Sequence, residues 1–226
     1  MTRRVTFTFD NGPTPGVTAG VLDILARRGL QATFFVIGQK LRAPAAAALA
    51  SEAHAAGHWI GNHTFTHSVA LGERTDAAYA AHEIEDTQAL IGTLAHPDKL
   101  FRPYGKSGRI GPHLLSRAAV SLLQAQRYSC ILWSSVPRDW CDPDGWVDRC
   151  IADVTARDWT VVVLHDVVGA CLPHLSELLD RLDDLGVEYR QDFPEDVVLM
   201  RTGTPVHLSD AYMSESDLPD VAPADC

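Results

Sequence analysis

His63 and His67 stand four residues apart in Asn62-His63-Thr64-Phe65-Thr66-His67, a spacing that lets two imidazoles face one cation across a helical turn. The flanking Asn62 and threonines offer the orienting partners that metal-bound histidines need. Four more segments set reactive side chains at the ends of apolar runs. Asp10 and Asn11 lie in Thr8-Phe9-Asp10-Asn11-Gly12-Pro13, and Arg102 and Tyr104 in Phe101-Arg102-Pro103-Tyr104-Gly105. Asp139 and Trp140 close the stretch from Trp133, and His165 lies in Leu164-His165-Asp166. A carboxylate, a cation site and a histidine titrating near neutrality are the parts of hydrolytic acid–base chemistry. Taken singly, each has a plainer reading: a turn at Asp10 to Pro13, unrelated core or surface histidines, a surface charge at Arg102, a helix cap at Asp139, a core Trp140 and a satisfied His165.

Such groups meet only if a fold brings the ends of separate strands together. The chain supplies that pattern, alternating short β-branched or aromatic runs with longer stretches of helical period, as repeated βα units around a mostly parallel sheet do. Of about seven strands expected in all, six are placed, at Val5 to Phe9, Ala32 to Gly38, His58 to Asn62, Leu100 to Arg102, Ser129 to Trp133 and Trp159 to Leu164. Helices are expected from Val17 to Leu30, Ala43 to Ala56, about Asp76 to Leu94, Pro112 to Gln126, Asp144 to Ala156 and Leu172 to Leu185. In a parallel sheet reactive groups collect where strands end. All five segments fall at such ends, and Asp10 is expected there as an exposed carboxylate.

The whole chain has 226 residues, 46% apolar and 21% charged, the composition of an ordinary globular domain. Its net charge of −10 repels phosphate backbones and anionic membrane surfaces, so neither nucleic acid nor membrane is an expected partner. No apolar run is long enough to span a bilayer, and the opening MTRRVTFTFDNGP lacks a signal-peptide core, which gives a cytoplasmic expectation. Five cysteines without a CxxC pair read as reduced, mostly buried thiols. The expected organisation is one domain over 1–201 and a flexible acidic tail over 202–226, where five acidic residues stand without a Lys or Arg.

In this order the five segments resemble the motifs of the polysaccharide deacetylases, the NodB-homology carbohydrate esterases, and the resemblance runs from residue 5 to 166. It implies an α/β fold, a distorted, incomplete (β/α)7-8 barrel, and metal-assisted hydrolysis of N- or O-acetylated saccharides or small amide or ester substrates. Carried onto this sequence, it makes Asp10 the general base, His165 the general acid, and Asn11, His63 and His67 the ligands of a divalent metal, zinc with cobalt or manganese as substitutes. Arg102 would hold Asp10 ionised, Asp139 would orient His165 and raise its pKa, and the Tyr104 backbone N–H would bond the oxyanion. Trp140 and Leu164 would wall an apolar pocket for the acetyl methyl. Two features depart from the pattern: the segment Arg102-Pro103-Tyr104 is one residue shorter than the family's common Arg-Pro-Pro form, and residue 11 is changed. The family has Asp where this chain has Asn11, and a neutral amide gives up most of the attraction for the cation. Two further readings stay open: a metal-independent hydrolase of a linear or cyclic amide, and a non-catalytic carbohydrate-binding descendant. The retained acid–base residues argue against the last.

Overall fold

A computed structural model of the chain describes residues 2–215. Its strands are β1 (Arg4–Asp10), β2 (Thr33–Val36), β3 (Trp59–Asn62), β4 (Leu100–Phe101), β5 (Leu115–Ser116), β6 (Ser129–Ile131), β7 (Trp159–His165), β8 (Glu188–Arg190), β9 (Val198–Arg201), β10 (Thr204–Pro205) and β11 (Met213–Ser214). The helices are α1 (Thr18–Arg28), α2 (Pro44–Ala55), α3 (Ala77–Ala81), α4 (Thr87–Ile91), α5 (Arg117–Ala125), α6 (Trp146–Thr155) and α7 (Leu175–Asp184).

Alternation along β1 decides the layering, because successive side chains of a strand point to opposite faces. Val5, Phe7 and Phe9 enter a buried apolar cluster with Leu25 of α1, Trp146 of α6 and Leu179 of α7. Thr6, Thr8 and Asp10, also buried, take the other face. A second cluster unites β4, β6 and β9 with Leu123 of α5.

The main sheet runs β10-β9-β6-β4-β3-β2-β1-β7, with β8 added to the first half of β1. Pairings from β4 to β7 are parallel, and β9 and β10 add antiparallel strands at the β6 edge. Beyond β6 the chain crosses to β7, where the Ser135 carbonyl accepts the Val163 N–H at 2.9 Å and Ser135 bridges Val162. The sheet is thereby curled into a half-barrel, as expected of the distorted, incomplete barrel. Register pairs Asp10 with His165 and Asn62 with Phe101, so the carboxyl ends of β1, β3, β4 and β7 meet at one pole.

Several elements differ from expectation. The helix over Asp76 to Leu94 is interrupted by a π-turn at His82–Asp86 between α3 and α4. Pro112 to Gln126 opens with a 3-10 turn at Pro112–Leu114 and the short β5, and becomes α-helical only at Arg117, where the Ser116 hydroxyl caps α5 by accepting the Ala119 N–H. Cys130, Cys150 and Cys171 are buried thiols, whereas Cys141 is disulfide-bonded and corrects the expectation of thiols throughout. Residues 202–215, expected as flexible tail, are packed. β10 pairs with β9, β11 pairs with β5, and Val206, Leu208, Tyr212 and Met213 lie against the second cluster. Acidic composition hid that apolar set. The remainder of the expected tail, 216–226, lies outside the described residues. Among the described residues no helix is long and apolar enough to cross a membrane.

Candidate active site

Asp10 is 3% exposed, against the expectation of an exposed carboxylate, because β1 delivers it into the half-barrel instead of onto the rim. Its Oδ1 accepts Arg102 Nη1 at 2.9 Å. Arg102 has no exposed surface, and it also donates to the Thr8 hydroxyl and to the Ile131 and Leu132 carbonyls while its guanidinium lies 4.1 Å over the Phe35 ring. Burial lowers the Arg102 pKa and Asp10 opposes that shift. Removing one partner of a buried pair leaves an uncompensated charge, at a cost of about 3–5 kcal/mol.

His165, one strand away, gives its Nδ1 hydrogen to Asp139 Oδ1 at 2.7 Å, and its backbone N–H to Asp139 Oδ2 at 2.8 Å. That leaves Nε2 as the ring's second site. Burial disfavours the imidazolium, but Asp139 chiefly, with Asp10 and Asp166, outweighs it and raises the His165 pKa. Trp140 meets the ring edge-on at 4.5 Å. Asp166, whose pKa burial pushes up to about 7, fixes the turn after β1. Its carboxylate lies so near Gly12 that a Cβ there would come within 2.2 Å of both oxygens.

The turn after β3 holds both predicted metal-ligating histidines. His63 Nδ1 is 2.8 Å from the Arg102 carbonyl. An oxygen without a hydrogen must accept, so the neutral ring carries its lone pair on Nε2. Burial pushes the His63 pKa down to about 3 and that of His67 well below its ordinary value; both are neutral imidazoles, the form that binds metals. The His63 Nε2 lone pair lies 3.5 Å from Asp10 Oδ2, and the rings of His63 and His67 are 4.7 Å apart. Asn11, in left-handed backbone with φ 71°, has a buried Oδ1 without a hydrogen-bond partner. A lone pair facing a carboxylate beside an orphaned amide oxygen is what a cation would satisfy. Residues 11, 63 and 67 therefore fit a divalent cation. Among the described residues no three His, Cys, Asp or Glu converge as a metal site; beside the two histidines, the unpartnered amide oxygen of Asn11 is the group that could serve as a third donor.

This turn is strained and held from behind. Thr64 and His67 have φ of 65° and 53°, and left-handed backbone outside glycine costs about 1–3 kcal/mol per residue. Asn62 bridges Thr64 N–H and the Ile84 carbonyl. Glu83, in the π-turn and 1% exposed, accepts from Phe65 N–H, Thr66 N–H and the Thr66 hydroxyl at 2.8, 3.0 and 2.6 Å. Sequence reading missed Glu83; a Glu on the buried face of a helix was the available signal.

A cleft of about 210 Å³ joins Asp10, Asn11, His63, His67, Tyr104, Trp140 and His165. Tyr104 lies at its wall, its ring 3.9 Å from that of His67. Leu164 does not line it. Alternation along β7 turns Leu164 into the first apolar cluster beside Phe9 and presents Val163 and His165 to the cleft. Trp133 and Lys106, both absent from the sequence-derived set, complete the wall; Lys106 pairs with buried Glu73 at 2.6 Å.

A family model described as polysaccharide deacetylase matches residues 2–119. A chitooligosaccharide deacetylase of Rhizobium leguminosarum bv. trifolii is 34% identical over 73% of this chain and 72% of its own. A peptidoglycan-N-acetylglucosamine deacetylase of Bacillus cereus is 31% identical over 72% of each. Among solved structures, a family 4 carbohydrate esterase from Streptomyces lividans in complex with acetate superposes with a TM-score of 0.70 at 26% identity, over 90% of this chain and 98% of that one. A family 4 acetyl xylan esterase from Clostridium thermocellum, in complex with a cobalt ion, gives 0.66 at 28% identity over 84% and 88%. The order of strand-end motifs, the curled sheet and these likenesses agree, and the chain belongs to the polysaccharide deacetylase family of hydrolases, which cleave amide or ester bonds.

Proposed function

We propose that this protein removes acetyl groups from N- or O-acetylated saccharides by metal-assisted hydrolysis, with Asp10 as general base and His165 as general acid. The observation that carries the reading is the placement of Asp10 and His165 as register neighbours lining one cleft, each with its own oppositely charged or hydrogen-bonding partner. Asp10 accepts a proton as water adds to the acyl carbon. His165, held by Asp139, gives one to the departing amine or alcohol as the acyl bond breaks, and acetate leaves. Arg102 keeps Asp10 aimed, and its backbone carbonyl fixes the His63 tautomer. Asn11, His63 and His67 would hold the cation. When bound, a divalent cation supplies Lewis-acid polarisation of the acyl carbonyl and lowers the pKa of water. The Tyr104 backbone N–H is assigned to the oxyanion and Trp140 to the acetyl methyl.

The cleft is small against the roughly 300–1,000 Å³ that engulfs a drug-sized ligand, which suits one acetylated residue of a saccharide lying across the opening. Metal content of the purified protein, with acetate release from acetylated chitooligosaccharide before and after chelation, tests the reading. Bound zinc, cobalt or manganese is expected, with activity lost on chelation and restored by metal. Full activity after chelation would replace it with metal-independent hydrolysis, and saccharide binding without acetate release would make the chain a binding protein.

A further inference from the structure

Resting on the reading that His63 and His67 hold a divalent cation, we propose that Glu83 is a positioning residue whose carboxylate clasps the turn between them and sets how tightly they bind it. Three observations meet at this side chain. The turn carries left-handed backbone at Thr64 and at His67 itself; such a conformation persists only where the surroundings over-determine it. Glu83 takes the donors at the middle of the turn, its Oε2 accepting both Phe65 and Thr66 N–H groups and its Oε1 the Thr66 hydroxyl, while the Gly38 and Gln39 backbone N–H groups hold the Thr64 and Phe65 carbonyls from the other side. It is also placed by an irregularity. The π-turn over His82–Asp86 breaks the regular register of the surrounding helix, and π-turns of this kind recur at functional sites.

From that break, two successive residues address the same loop, Glu83 through its carboxylate and Ile84 through a carbonyl that accepts from Asn62. His63 is fixed independently by the Arg102 carbonyl. His67 depends on the conformation of residues 64–67, so loss of the clasp should separate the two imidazoles. The carboxylate has a compact job: it pairs three donors and carries no role in proton transfer.

Zinc titration by calorimetry, alongside thermal unfolding, tests this on the wild-type protein, Glu83→Ala, Glu83→Gln, Thr66→Val and a His63→Ala control. Loss of a group that orients ligands typically weakens metal binding 10- to 100-fold, which is the loss expected for Glu83→Ala. Glu83→Gln, which keeps an acceptor for the two N–H groups, should recover most of that loss. Thr66→Val, deleting one of the three bonds to Glu83 together with the exposed bond to the Ser68 hydroxyl, should weaken zinc by about 2- to 13-fold and carries the test should Glu83→Ala not fold. Unchanged zinc affinity in Glu83→Ala or Thr66→Val, with a lower melting temperature, would overturn the proposal and leave Glu83 a purely structural residue. A wild-type protein that takes up no zinc, or takes it up as well in His63→Ala, would overturn the cation reading itself and the proposal with it.

Discussion

Three histidines gather at each end of the sheet, in very different surroundings. His63, His67 and His165 meet at the carboxyl ends of β3 and β7, whereas His54, His58 and His96 border a hollow with Trp59 at the amino end of β3. In the second group, His58 Nδ1 accepts the Ala32 N–H at 3.0 Å and His96 Nδ1 accepts the Asp98 N–H at 3.2 Å. The His96 ring packs 4.5 Å from Trp59. Burial lowers the pKa of both, and among the described residues no carboxylate lines that hollow. In the first group, a carbonyl fixes the tautomer of His63, Asp139 raises the pKa of His165, and Asp10 stands beside both, paired with the Arg102 guanidinium. Histidines become reactive through carboxylates that set their charge and through strand ends that aim them. Number and proximity alone do not suffice.

The largest break of this contrast comes from Asp10→Asn. It should lower kcat/KM for an acetylated chitooligosaccharide by 10²-fold or more, the usual loss of a general base. Because Arg102 is then buried without its carboxylate, stability should also fall, by on the order of 3 kcal/mol in urea unfolding. A variant retaining more than about a tenth of wild-type kcat/KM would remove Asp10 from the base role.

A middle-sized effect is expected at Asp139. Asp139→Asn removes the anion that chiefly raises the His165 pKa, so the basic limb of the pH–kcat/KM profile, where imidazolium is lost, should move to lower pH. Stability follows the same sign. A histidine whose folded pKa exceeds its unfolded value of about 6.5 stabilises the fold below that value, and the stabilisation is lost as pH rises through the folded pKa. In Asp139→Asn that pH dependence should flatten. An unmoved basic limb would uncouple the two residues.

The smallest effect belongs to the opposite pole. His96→Gln keeps a side chain able to accept the Asp98 N–H and lies outside the cleft that holds Asp10 and His165, so kcat/KM should stay within about two-fold, while stability changes by no more than about 1 kcal/mol. A ten-fold loss of activity would mean that the two poles are coupled, and would dissolve the distinction drawn between them.

Reading the chain alone located the strand ends well, because apolar runs such as Val5 to Phe9 and Trp159 to Leu164 are long and closed by polar residues. Asp10, His63, Arg102, Asp139 and His165 indeed converge. What escaped was set by geometry with no local sequence signature. The motif resemblance points Leu164 at the pocket, whereas strand alternation turns it away. The π-turn that carries Glu83 meets the 62–66 loop through hydrogen bonds between segments about 20 residues apart, a pairing with no local pattern. Asp10 reads as exposed from the sequence because its buried partner Arg102 lies 92 positions along the chain. Short strands β10 and β11 sit in a segment whose acidic composition masks its apolar residues.

The central claim, that Asn11, His63 and His67 hold a divalent cation beside Asp10, is tested most directly at Asn11. Asn11→Asp adds an anionic oxygen next to the cation at a position whose left-handed backbone Asp tolerates. Even strongly screened, such an interaction is worth on the order of 1–4 kcal/mol, so zinc affinity in a calorimetric titration should rise by roughly ten-fold or more. Mass spectrometry must accompany it, since an Asn-Gly step can deamidate to Asp unaided. Turnover at saturating metal need not rise, because the added charge makes the cation a weaker Lewis acid. The predicted result is zinc bound by both proteins and markedly tighter by Asn11→Asp; equal affinity in the two, or no binding by the intact Asn11 protein, would contradict the claim.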